Sequence, residues 1–230
     1  MSNLAVALGF LISVIHYYSE EIGFHSRHIR DELISFAAGV SLAYIFITLL
    51  PEFAIGDEVL QKRLLFIFVL VGFTVLHIVE KYIYQHVKKR RKLYEDLKIE
   101  DSIVSFIYHF IVGIILFLFT QTDKRLGILF FIPIALHTAA STLPVNAPKH
   151  KHMAALVASG TLLGTLASFT LLNYITPVIF FSMMGAMVGA LLFMITRHSL
   201  PHGKRGNPVL FMIGLLFYVA VWFVAEKILF

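Results

Sequence analysis

Gly39-Val-Ser-Leu-Ala-Tyr-Ile-Phe-Ile-Thr-Leu-Leu-Pro51 recurs later in the chain as Gly189-Ala-Leu-Leu-Phe-Met-Ile-Thr-Arg-His-Ser-Leu-Pro201. In both, a glycine stands twelve residues ahead of a proline that ends a helix, because proline lacks the amide proton and clashes with the preceding turn. Each copy is followed by an apolar run with an internal glycine and a late Glu-Lys pair: Gly72 with Glu80-Lys81, and Gly214 with Glu226-Lys227. These last spacings differ by one turn, so agreement is looser there. If the two copies run in opposite directions through a bilayer, segments 1–3 and 6–8 form an inverted repeat, the plan of many transporters. Chance likeness of two apolar helices is the competing explanation.

Composition puts the chain in a membrane. Its 230 residues are 58% hydrophobic and 14% charged, with mean hydropathy +0.83, against about 25% charged in soluble domains. Charges gather between apolar runs, which predicts helical spans and excludes the alternation of an outer-membrane barrel. Eight spans are predicted, at about 3–18, 32–51, 64–86, 102–120, 126–145, 153–173, 177–197 and 208–229. A basic loop is predicted over 87–101, and no room is left for a soluble domain. The first span is the weakest, ending in Ser13, His16 and the interfacial pair Tyr17-Tyr18. No Lys or Arg precedes it, so it reads as a retained helix and not a signal peptide. There is no cysteine, hence no disulfide and no thiolate metal site.

The basic residues set the orientation. With the amino end outside, fourteen Lys and Arg fall on inner segments: Arg27, Arg30, Lys81, Lys88, Lys89, Arg90, Arg91, Lys92, Lys98, Lys149, Lys151, Arg197, Lys204 and Arg205. Five fall outside: Lys62, Arg63, Lys124, Arg125 and Lys227. The positive-inside bias therefore predicts both termini outside. The positive charge is accounted for by topology, not by nucleic acid; the run from Lys88 to Lys92 is a topology determinant or a reader of anionic lipid. Gly160, Gly164 and Ser168, and Gly185 with Gly189, offer small-residue helix contacts.

Two spans each carry a histidine in an otherwise apolar setting: Tyr108-His109 in the fourth and His137-Thr138 in the fifth. An intramembrane polar side chain needs a partner or a task. Both histidines fall near mid-membrane by rise per residue, so their rings are predicted to face one another. Ser105, Tyr108 and His109 share neighbouring turns, and His137 and Ser141 are four residues apart. Pro144 leaves the Ala140 carbonyl without its helical donor. His109, His137, Ser141 and Tyr108 thus make a candidate neutral nitrogen-and-oxygen metal site; the competing reading is that each histidine satisfies a neighbouring hydroxyl or carbonyl. Further histidines gather at the inner face, among them His25 and His28, with His150, His152, His198 and His202 as a candidate cytoplasmic exit. Arg197 beside His198 counts against a cation exit there; paired with an anionic group instead, it would point to a different substrate.

The order Gly39 to Leu49-Leu50-Pro51-Glu52, then Val71-Gly72-Phe73 to Glu80-Lys81, then a basic loop and two histidine-bearing helices, resembles the ZIP (Zrt/Irt-like) family of divalent metal transporters. The resemblance covers nearly the whole chain in topology. It implies an all-α membrane protein of eight transmembrane helices in a 3+2+3 arrangement, a homodimer in the plasma or cytoplasmic membrane, and helices 4 and 5 holding the metal. The motifs depart from the family's. Its His-Asn-x-x-Asp/Glu-Gly pattern, anchored on Gly113, finds Tyr108, His109 and Val112; its His-Glu/Asn-x-Pro-His/Glu-Glu/Gly pattern finds His137 with Thr138, Ala140, Ser141 and Thr142. The family's histidine before Leu-Leu-Pro is Thr48, and 153–173 has no acidic residue. A divalent ion here loses its compensating carboxylates.

Three functional readings follow. One is a divergent ZIP-like carrier bringing a divalent cation such as zinc into the cytoplasm by alternating access, with the metal as substrate and no cofactor. The second is a transport-incompetent sensor or scaffold with a decayed site, supported by Val112, Thr138 and Ala140. The third places a haem between His109 and His137. No phosphate-binding loop and no nucleophile or acid/base pair marks an enzyme.

Overall fold

The computed structural model describes residues 2–21, 27–60, 62–140, 151–199 and 206–228, and every regular element among them is helical. In chain order these are α1 (Ser2–Glu21), α2 (Arg27–Tyr44), α3 (Leu50–Ala54), α4 (Lys62–His86), α5 (Arg90–Thr122), α6 (Lys124–Ala140), α7 (Lys151–Ala158), α8 (Gly160–Leu171), α9 (Pro177–Met194) and α10 (Pro208–Ile228). Among the described residues, five stretches are long and apolar enough to cross a membrane: Asp31–Glu58, Arg63–His86, Arg90–Thr122, Pro177–Arg197 and Pro208–Lys227. A sixth, His152–Ala158 with Gly160–Leu171, qualifies if its 51° bend is counted within one span. The chain is thus an integral membrane protein.

Helix starts follow local chemistry. Asp123 Oδ1 accepts the Arg125 amide at 2.8 Å to cap α6, Thr176 caps α9 ahead of Pro177, and Asn207 Oδ1 accepts the Val209 and Leu210 amides to cap α10. The bend at Ser159 falls at a Ser-Gly pair, a usual kink site. There the freed Leu162 amide donates to Ser13 Oγ of α1 at 3.1 Å. The expected basic loop over 87–101 is corrected: from Arg90 onward it is the first three turns of α5, exposed and laced by the Arg91–Glu95 pair at 3.0 Å.

Three helix pairs carry the architecture: α2 with α10, α4 with α9, and α5 with α8. Each is closed by two glycines. A Cβ on Gly39 would overlap the Phe211 carbonyl, and one on Gly214 the Phe36 carbonyl. Gly72 meets the Ala186 carbonyl and Gly189 that of Val69; Gly113 meets the Thr161 carbonyl and Gly164 that of Phe110. In all three, each glycine faces the carbonyl three residues before the partner glycine. Such close approach puts Cα hydrogens onto carbonyl oxygens, a weak but repeated attraction that membrane helices use. Each pair is parallel, since contacts advance together: Ser35 with Asn207 and then Thr48 with Tyr218; Phe68 with Gly185 and then Glu80 with Arg197; Phe106 with Gly160 and then Phe117 with Phe169. By contrast α2 with α3 runs against α9, as Phe53 meets Gly185 and Gly56 meets Phe181.

The Gly-to-Pro stretch carries a second shared feature. Ile45–Leu49 is a π-helical turn, and so is Ile195–Ser199. Both begin six residues after the glycine. The looser Glu-Lys match differs in its partners: Glu80 binds Arg197, whereas Glu226 lines a cavity with Glu52 and Arg125.

Candidate functional site

α5 enters the middle of the bundle between α1, α6 and α8 and buries His109 four residues before its crossing glycine. The His109 ring is held on both sides. Nδ1 donates to the Ser105 carbonyl at 2.8 Å, which leaves Nε2 as acceptor for the Thr138 hydroxyl of α6 at 3.2 Å. Against its face lies His16 of α1, ring centroids 4.3 Å apart, and Ser105 Oγ is 3.4 Å from both His16 Nε2 and His109 Nδ1. His137 is buried too and within electrostatic reach of His109. Two imidazoles, from α1 and α5, therefore stack in the bundle, and the buried His137 of α6 stands one residue before the Thr138 that binds His109.

His16 was read from sequence only as a sign that the first span is weak. Its spacing held a clue: Ser13 and His16 are three apart on one helical face, and both turn inward. The predicted pairing of Tyr108 with His109 as joint ligands is not what the helix presents. Successive residues are about 100° apart around the axis, and the Tyr108 ring stands edge-on to His109 at 5.2 Å. The Tyr108 hydroxyl lies within electrostatic reach of Tyr44 and has no protein hydrogen-bond partner. Ser141, His150 and His202 fall outside the described residues, as does the His198 side chain. His152 is exposed on α7. Among the described residues no group of three or more His, Cys, Asp or Glu is disposed to hold a metal ion.

The donor set is neutral imidazole and hydroxyl. The 3.2 Å between His109 Nε2 and Thr138 Oγ1 is the length of an ordinary hydrogen bond. A cation seated there would displace the Thr138 hydrogen bond, which contributes on the order of 1 kcal/mol.

Two other polar systems flank this centre. On one side, Thr48 of the first π turn and Tyr218 of α10 are hydrogen-bonded at 2.7 Å, and Tyr218 donates onward to the Leu129 carbonyl at 3.4 Å. The Tyr44 ring packs on Tyr218 at 5.7 Å. Beyond lies a cavity of about 150 Å³ lined by Glu52, Asp123, Arg125, Leu126, Leu129, Ala225 and Glu226. Here Arg125 binds Asp123 at 2.8 Å, and this hydrogen bond holds the Asp123 carboxyl below the usual carboxylate range. At the opposite end, the buried Glu80 takes Arg197 Nε and Nη2 at 3.0 Å each, so the anionic group beside Arg197 is a carboxylate of the protein itself.

No protein-family profile matches the chain, and no curated protein matches it in sequence.

Proposed function

We propose that the chain is a divergent ZIP-like carrier that brings a divalent transition-metal cation into the cytoplasm by alternating access. The eight spans are taken as a 3+2+3 inverted repeat with both ends outside. The observation that carries this reading is the repeated crossing: Gly39 with Gly214 and Gly72 with Gly189 make the same contact, in pairs that run in opposite directions, with a π turn at the same offset in each copy. The substrate assignment leans on His16, His109 and His137, since imidazole suits zinc and its neighbours whereas hydroxyls alone do not.

The test is metal uptake into proteoliposomes. The parent protein should show zinc flux that saturates, and His109→Ala combined with His137→Ala should abolish it while elution from a sizing column stays monodisperse. A parent without flux overturns the carrier reading. A second reading, a transport-incompetent relative, is favoured by one observation: both ring nitrogens of His109 already have protein partners. It expects neither zinc binding nor flux from the purified protein.

A further inference from the structure

Of the buried side-chain oxygens without a protein hydrogen-bond partner among the described residues, one is Thr161 Oγ1 of α8 and the other three, Ser41 Oγ, Tyr44 Oη and Tyr108 Oη, belong to α2 and α5. Each residue is at most 4% exposed. A buried hydroxyl left unpaired costs about 1–3 kcal/mol, so such groups in native proteins point to an ordered occupant. The three of α2 and α5 are not scattered. Ser41 lies one turn from Tyr44 on the same face of α2, and Tyr44 is in electrostatic reach of Tyr108, Tyr218 and Glu52. Tyr108 adjoins His109 in sequence, and its ring stands beside the imidazole. On the other side, Tyr44 packs on Tyr218, whose hydroxyl donates to the Leu129 carbonyl; Leu129 lines the 150 Å³ cavity with Glu52 and Glu226.

We propose that Ser41, Tyr44 and Tyr108 form an internal hydration site, filled by water, that joins the Glu52 cavity to the imidazole centre. Water suits these hydroxyls because each donates and accepts one or two bonds and is neutral. With Asp123 paired to Arg125, the carboxylates of Glu52 and Glu226 set the charge of the cavity, which favours a hydrated cation over an anion. This inference deepens the carrier reading by naming how a cation reaches the histidines from outside. It stands apart from that reading in its tests, which register water and thiols, not flux.

The first test is hydroxyl-radical footprinting of the unsubstituted protein in nanodiscs with mass spectrometry. Radicals form from bound water, so Tyr44 and Tyr108 should be modified faster than the equally buried Phe53 and Phe117, by roughly an order of magnitude. Equal rates overturn the proposal. The second exploits the absence of cysteine: Ser41→Cys is the only thiol in its protein. A small cationic, membrane-impermeant thiol reagent applied from the Glu52 side should modify it about tenfold faster than Val75→Cys, whose thiol faces lipid and not water. No reaction from that side, or reaction only from the Arg197 side, overturns the route. If Ser41→Cys misfolds, footprinting alone decides. A hydrated site in a protein without zinc flux would sink the carrier reading and leave this one standing.

Discussion

Replacing Gly72 by alanine inserts a methyl carbon where the Ala186 carbonyl already sits. The obstacle is backbone of a packed helix, so it cannot turn aside as a flexible side chain would. α4 and α9 must separate, losing the Cα hydrogen contacts and the packing of Phe73 and His77 on Phe193. Overpacking of this kind costs about 1–3 kcal/mol, while alanine returns about 0.5–1 kcal/mol in helix propensity. The net is destabilisation of roughly 1–2 kcal/mol. The inverted relation makes this sharper than a single variant. Gly214→Ala, which drives a methyl into the Phe36 carbonyl of α2, should cost the same as Gly72→Ala within a few tenths of a kcal/mol, and Gly39→Ala the same as Gly189→Ala. Gly39→Ala with Gly214→Ala should be strongly non-additive, since one displaced helix relieves both overlaps. Gly39→Ala with Gly72→Ala should be additive, since they loosen different pairs. Equilibrium unfolding in mixed micelles against SDS mole fraction measures all of these. Stabilisation by Gly72→Ala would refute the reasoning, because propensity would then be acting on helices not in contact.

Two further outcomes test the polar elements. Tyr218→Phe should destabilise by about 1–3 kcal/mol by taking the buried Thr48 hydroxyl's partner, Thr48→Val by less because Tyr218 keeps the Leu129 carbonyl, and the double variant should cost less than their sum by about 1 kcal/mol in the same SDS titration. Asp123→Ala should cost about 1 kcal/mol at neutral pH through loss of the α6 cap. Because Arg125 lowers the folded-state pKa of Asp123, its contribution is present above the ordinary carboxylate value near 4 and is lost as pH falls through the lower folded value. Parent and variant thermal midpoints should therefore converge toward pH 3, and a constant gap would show that the carboxylate's charge plays no part.

The helical character of the chain was legible wherever apolar runs were long, as was the Gly-to-Pro repeat, because glycine at a helix crossing and proline at a helix end each have one dominant physical use. The crossing glycines on α5 and α8 were also visible, though not that they oppose one another. What the sequence hid were partnerships between distant helices. His16 ends the weakest of the apolar runs, yet that helix supplies a ring 4.3 Å from that of His109. Glu80 looked like half of a Glu-Lys signature, but its partner is Arg197. The charge of 90–101 predicts a loop, whereas Lys, Glu, Leu and Arg are good helix formers and here carry α5 beyond the apolar stretch. The bend at Ser159 depends on Ser13 of another helix accepting the freed amide, and no local pattern encodes that.

The paired π turns explain why the two ends of the bundle differ although the repeat is the same. Pro51 has no amide to give the Ile47 carbonyl and its ring would strike it, so the helix widens one turn upstream and the Leu50 amide reaches back to Ile45. The extra residue rotates everything downstream by about 100°. That is how Phe53 comes to be buried against Gly185 while Glu52 faces the cavity. Nine residues after the glycine, the first copy places Thr48 and the second places His198 next to Arg197. Thr48 is buried and closes its end through a neutral hydrogen bond to Tyr218. The other end is closed by Arg197 on Glu80, with the Arg197 side chain 45% exposed. A neutral buried bond is indifferent to salt, while an ion pair at a half-open mouth is weakened by it. One architecture thus carries two closures of different chemistry, and only the Arg197 end is one that ionic strength loosens.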